Sequence, residues 1–259
     1  MVRGQTRHIP MTTQGNTGFD VFLSPRWQEA VHAALARNAG ELIAGLVHNL
    51  HNYAHTFSMQ MDMWNNALQR NPNAPMSSQQ RSLQRMTALS SDFSQECSVL
   101  GQRTFYAGLE PASIELSSAL HWLETFWRHN LFFKHHVQLD INMGAHALTS
   151  LTIRPGMLIY GLEEGIKNGV ESLTGKKESQ KVFHFDLEVT ASSSSLRLTL
   201  RSPTALDQSI DPWQAGTSTK EGHFGLGLPL LQVGCRKIGW DCQLCGDDQS
   251  TSLHLALPV

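Results

Sequence analysis

Glu41 to Trp64 reads ELIAGLVHNLHNYAHTFSMQMDMW, and this stretch decides the fold. Its apolar residues fall at Leu46, Leu50, Tyr53, Phe57, Met61 and Trp64, in steps of 4, 3, 4, 4 and 3. That is one face of an amphipathic helix. His48 lies about 200° round from Leu46 at 3.6 residues per turn, off the apolar stripe and facing water or a partner. Asn52 and His55 fall near the same face. A neutral imidazole held there can serve as a nucleophile toward phosphorus near pH 7. A surface residue with no role, or a metal cluster of His48, His51 and His55, fits the same spacing.

Outward from this stretch, Ser24-Pro25 is a helix start, a capping Ser followed by Pro. The first helix is expected from about Arg26 to about Gln69, with Gly40 and Gly45 inside it as either bends or weak helix. Residues 1–25 read as a flexible polar leader. Asn71-Pro72-Asn73-Ala74-Pro75 breaks the helix. A second helix is expected over about Ser78 to Tyr106. Its seam is Leu83, Met86, Ser90, Phe93, Cys97 and Leu100, with heptad spacing. Two long antiparallel helices cannot enclose a core alone, so residues 26–107 are expected to form a dimeric four-helix bundle from two chains.

After the linker Gly108-Leu109-Glu110-Pro111 the texture becomes mixed. A helix is expected over Ile114 to His129, a strand over Val137 to Ile141 and a helix over Met157 to Leu173. Gly175 to Gln180 reads as a polar turn. Strands follow at Val182 to Thr190 and Leu196 to Arg201, a helix at Leu226 to Ile238, and closing strands at Trp240 to Leu244 and Ser252 to Leu257. Residues 112–259 thus read as an α/β sandwich, a mixed sheet covered on one side by helices, and the whole chain as α+β.

The chain has 259 residues and a net charge of −2, which argues against a nucleic-acid partner or a polybasic membrane surface. No apolar run approaches a membrane span, and the N-terminus lacks the core of a signal peptide. A cytoplasmic protein is expected. Four cysteines are too few for a disulfide framework; Cys242-x-x-Cys245 has the spacing of half a zinc site or a redox pair.

Two further motifs lie in the second domain. Glu164, Asn168 and Glu171 share a helix face at i, i+4 and i+7; an Asn among carboxylates can hold magnesium against phosphate oxygens, and an exposed polar face is the bland alternative. Gly216-Thr217-Ser218-Thr219-Lys220-Glu221-Gly222-His223-Phe224-Gly225-Leu226-Gly227-Leu228 leads into an apolar helix. Glycine-rich loops of this kind let backbone N–H groups approach phosphates closely.

The order of these motifs resembles that of two-component histidine kinases over residues 26 to 259. Gly45 to Asn52 is similar to the H-box, with His48 at the phosphoacceptor position, Asn52 matching, and Asn49 where an acidic residue is usual. The helix around Asn168 resembles the N-box, and Thr219-Lys220 with Gly222, Gly225, Leu226 and Gly227 resembles the second glycine-rich box. The resemblance implies a homodimer in which Glu164 and Asn168 organise Mg2+ and ATP. The metal would sit on Asn168, the glycine loop would hold phosphates, and His48 would pass a phosphoryl group to a response regulator receiver domain. Input would come from a separate sensor protein or through the fold itself. One family element is missing: Asp-x-Gly-x-Gly, whose Asp reads the adenine amino group. Here Ser202-Pro203-Thr204-Ala205-Leu206-Asp207 follows the strand, and no Gly occurs between Gly175 and Gly216. Losing that contact is worth ~1.5–3 kcal/mol. The same resemblance therefore also implies an alternative, a histidine phosphotransfer protein or a scaffold on a degenerate ATP-binding domain.

Overall fold

The computed structural model describes residues 7–9, 26–70, 76–144, 150–174, 181–192, 194–207, 209–218, 220 and 224–258. The expected break at 71–75, the polar turn at 175–180, and most of the leader lie outside them. In chain order the elements are β1 (Arg7–Ile9), α1 (Trp27–Arg70), α2 (Met76–Tyr106), β2 (Ala112–Glu115), α3 (Leu116–Trp127), α4 (Leu131–His136), β3 (Val137–Asn142), β4 (Ser150–Ile153), α5 (Pro155–Leu173), β5 (Phe183–Ala191), β6 (Ser195–Ser202), α6 (Gly227–Ile238), β7 (Asp241–Gly246) and β8 (Thr251–Pro258).

The helix α1 changes what it faces along its length. Val31, Leu35, Asn38, Leu42 and Gly45 are buried, in steps that alternate between four and three. This half packs on α5 and α6. Beyond Gly45 the stripe expected from the sequence lies on the hairpin's own surface, where Phe57 and Met61 are exposed. Gly45 itself is a close approach rather than a bend: a Cβ there would stand 1.8 Å from the carbonyl oxygen of His129.

The six-stranded sheet has the order β1-β7-β8-β6-β5-β3, with β3 and β5 parallel and the other pairs antiparallel. Alternation sorts its faces: Phe183, Phe185, Leu187 and Val189 point inward while His184, Asp186 and Glu188 point out. Helix α5 lies directly on the inner face. Three of its glycines make this possible, because a Cβ on Gly161, Gly165 or Gly169 would come within 2.8 Å of Leu255, Leu200 or Phe185 respectively. One apolar core runs from Val31 of α1 to Leu257 of β8, so the upper hairpin and the sheet domain share an interior.

Two readings change. The helix expected over Ile114 to His129 begins only at Leu116, since Ala112–Glu115 pair as β2 with β4. Tertiary pairing overrides helical propensity there, and the Glu115 carboxylate then accepts from the hydroxyls of Ser117 and Ser118 at the turn into α3. His129 lies past the end of that helix, buried, with Nε2 2.8 Å from Glu96 of α2. The leader expected to be flexible supplies β1, which pairs Arg7 to Ile9 with Gly246 to Leu244.

Candidate functional site

Near the middle of α1, His48 is exposed, and Asn52 one turn on brings its Nδ2 to 3.0 Å from His48 Nε2. An amide nitrogen only donates, so in this arrangement Nε2 accepts and the imidazole proton sits on Nδ1. Asn52 thus fixes the ring plane and engages the Nε2 lone pair.

The second group forms where α5 meets α6 and the loop before it. Glu164, Asn168, Lys220, Gly225, Leu226 and Gly227 line one cavity of about 140 Å³. Thr219 and Gly222 lie outside the described residues. The loop is shaped by its glycines: Gly225 has φ +59°, and a Cβ there would stand 2.0 Å from the Thr217 carbonyl oxygen. Gly227, the first residue of α6, is pressed on by Glu164, with Oε2 1.9 Å from where a Cβ would be. The carboxylate therefore occupies the N-terminus of α6, the place such a helix offers to an external anion.

The polar face of Asn168 is also filled from within the chain. Lys220 Nζ donates to Asn168 Oδ1 at 3.0 Å, to Glu171 Oε2 at 2.6 Å and to the Asn168 carbonyl oxygen at 3.4 Å. An ammonium has three protons, and all three are used. Oxygen donors of this kind suit magnesium, and Asn168 Oδ1 and Glu171 would be its ligands if Lys220 withdrew.

The hairpin reaches into the same group. Asn38 Nδ2 approaches Glu163 Oε2 at 3.4 Å and Glu164 Oε1 at 3.3 Å, while its Oδ1 accepts from Lys167 Nζ at 3.3 Å. Lys167 also donates to Glu41 at 2.5 Å. Arg103 of α2 pairs with both oxygens of Glu163 and donates to the Leu35 carbonyl at 2.7 Å. Burial pushes the carboxyls of Glu163 and Glu164 above their ordinary range, opposed chiefly by Arg103 for the first and Asn38 for the second. His48 follows Asn38 by ten residues, about 15 Å along the helix axis.

Asn38, Arg103, Lys167 and Arg37 at the cavity rim are absent from the sequence-derived site. Asn38 did carry a signal, as the one polar side chain in the stripe Val31, Leu35, Asn38, Leu42. Beyond β6, Asp207 is exposed and its Oδ1 accepts from the backbone N–H and the hydroxyl of Ser209. Among the described residues no group of three or more His, Cys, Asp or Glu could hold a metal, so His48, His51 and His55 do not cluster as one. Cys242 shares a hydrogen bond with Cys235, which with burial pushes the Cys235 thiol well up. No described helix is long and apolar enough to cross a membrane.

No protein-family model matches the sequence, and no curated protein matches it. Solved structures similar to the chain include histidine kinases and their catalytic domains. Full-length ShkA in complex with AMPPNP is 15% identical with TM-score 0.49, covering 82% of this chain and 45% of that one. The catalytic domain of histidine kinase ThkA is 10% identical with TM-score 0.48, covering 57% and 95%. A histidine kinase from Burkholderia phymatum is 16% identical with TM-score 0.44, covering 86% and 97%.

Proposed function

We propose that the chain is a histidine phosphotransfer protein, with His48 as the carrier and a kinase-type second domain whose Mg-ATP site is closed by the chain's own charges. The observation that supports this reading is Lys220, whose ammonium sits on Asn168 Oδ1 and Glu171, the oxygens that would hold magnesium in a kinase-type site. Glu164 at the start of α6 opposes a phosphate there by like charge.

In the transfer, the lone pair of His48 Nε2 attacks the phosphorus of an aspartyl phosphate on a response regulator receiver domain. The new bond is N–P, the bond to the aspartyl oxygen breaks, and the aspartate leaves as a carboxylate. Asn52, released from Nε2, donates to a phosphoryl oxygen. The same steps reversed load a second receiver. Two copies would pair through the hairpin face that bears Phe57, Met61, Leu83 and Phe93, each 39–49% exposed in the single chain.

A second reading, autophosphorylation of His48 from Mg-ATP, draws on the convergence of Glu164, Asn168, Lys220, Gly225 and Gly227 on one cavity. It requires Lys220 to leave Asn168. It also requires the second domain to come off α1, because reacting atoms must approach to about 3–3.5 Å.

Calorimetric titration with Mg-ATP, paired with transfer from a phosphorylated receiver domain, separates the two. The phosphotransfer reading expects no binding at millimolar nucleotide and a His48 label that vanishes in His48→Ala. Micromolar Mg-ATP binding that weakens in Asn168→Ala would put autophosphorylation first. Signalling that survives His48→Ala would sink both and leave a scaffold.

A further inference from the structure

His129 lies in the corner between α3 and α4, and its side chain is only 2% exposed. Its Nδ1 stands 2.7 Å from the Phe126 carbonyl oxygen, and its Nε2 stands 2.8 Å from Glu96 Oε2 of α2. A carbonyl oxygen only accepts, so Nδ1 carries a proton. A neutral imidazole has a single N–H. With that proton on Nδ1, the Nε2 lone pair would face an ionised Glu96 carboxylate, acceptor against acceptor. The contact therefore needs one further proton, on Nε2 or on Glu96. On the other side of the corner, the His129 carbonyl oxygen fills the space that Gly45 of α1 leaves open. The corner is thus seated on both helices of the hairpin, three residues before His48.

We infer that His129 and Glu96 form a proton-dependent clamp, which holds the α3–α4 corner on the hairpin while they share the proton and releases it when the proton leaves. The clamp is closed on the acid side and opens as pH rises. Its opening is local, because the shared core and the pairing of Arg103 with Glu163 hold the upper hairpin by other means. Charged and titratable groups face the pair from every element packed on it. In the corner, Arg128 is engaged by Glu124 of α3 at 2.6 Å. From α2, Arg103 lies 4.8 Å from the centre of the Phe126 ring, which meets His129 edge-on. Lys134 of α4 lines the same groove as His129 and Glu96. From α1 comes the Tyr53 hydroxyl. Burial first, then Glu96 and Asp92 of α2, push it above its ordinary 10.0, so it keeps its proton up to that range. Opening the clamp widens this groove, of about 410 Å³, whose hairpin wall includes Asn52, the partner of His48. The inference uses the place of His48 and not its phosphorylation.

The test is hydrogen exchange of the full chain at about pH 6 and about pH 9, an interval that spans the charge change of histidine, with each rate divided by that of the unstructured chain. The amides of Asn130 and Lys134 bond to the carbonyls of Trp127 and Asn130 in the corner. Their protection should fall by roughly tenfold to a hundredfold between the two pH values, the worth of one charge-assisted hydrogen bond. Glu96→Gln removes the dependence at its source. A Gln amide donates to the neutral Nε2, so the contact no longer needs the further proton, and protection of the two amides should be the same at both pH values. Equal protection at both pH values in the wild-type chain, read without any variant, would overturn the inference. So would a loss in Glu96→Gln as large as in the wild-type chain. Either failure leaves phosphotransfer by His48 standing.

Discussion

Asn38 of α1 and Glu164 of α5 meet across 126 positions of sequence, with Nδ2 3.3 Å from Oε1. The amide also serves Glu163 and Lys167, so one neutral side chain mediates among three buried charges. Asn38→Ala leaves those buried groups short of a partner. It should cost about 1–3 kcal/mol, read as a lower urea midpoint with an unchanged slope.

Stability should depend on pH with a definite sign. Burial raises the carboxyls of Glu163 and Glu164 above the ordinary 4.5. The folded chain therefore holds these protons at pH values where the unfolded chain has released them. Unfolding free energy falls as pH rises from the ordinary carboxylate range up through the raised values. Glu164→Gln should flatten that limb in thermal melts across pH. On the acid side the sign reverses, because hydrogen bonds hold Asp140, Asp207 and Asp247 below the ordinary 3.8, and what they contribute is lost as pH falls through their folded values.

Two glycines of α1 offer an internal comparison. Gly40 has nothing within 4 Å of a built Cβ, so Gly40→Ala removes backbone freedom from the unfolded chain without a clash. It should stabilise by about 0.5–1 kcal/mol. Gly45→Ala drives a methyl into the His129 carbonyl and should destabilise by about 1–3 kcal/mol. Thermal melts of the two variants should move in opposite directions.

At His48 the effect should appear in rate and not in stability. Asn52→Ala removes one hydrogen bond between exposed side chains, so the melting temperature should hold. Acceptance of a phosphoryl group should slow by roughly threefold to tenfold, as expected for a positioning bond worth about 0.5–1.5 kcal/mol. An unchanged rate would remove Asn52 from the chemistry.

Periodicity located the long elements well. The helix expected from about Arg26 to about Gln69 is observed over Trp27–Arg70, and the strand expected over Leu196 to Arg201 is observed over Ser195–Ser202. In both the buried residues repeat with the period of the element. The short strands β2 and β4 escaped notice because four residues carry too little alternation to outweigh a neighbouring helical pattern, and only their mutual pairing fixes them. The candidate site was legible as to which residue types converge, since spacing alone puts Glu164 and Asn168 on one face of α5. What occupies the site was not. The contact of Lys220 with Asn168 joins positions 52 apart, and that of Asn38 with Glu164 joins two elements whose docking no local pattern records.

The three-residue strand β1 covers part of β7, which would otherwise form the rim of the sheet. An open rim offers unpaired amides and carbonyls to the rim of any other molecule, and sheets left in that state grow by lateral addition. Cleavage after Ile9 would thus turn a self-limiting sheet into a template for aggregation.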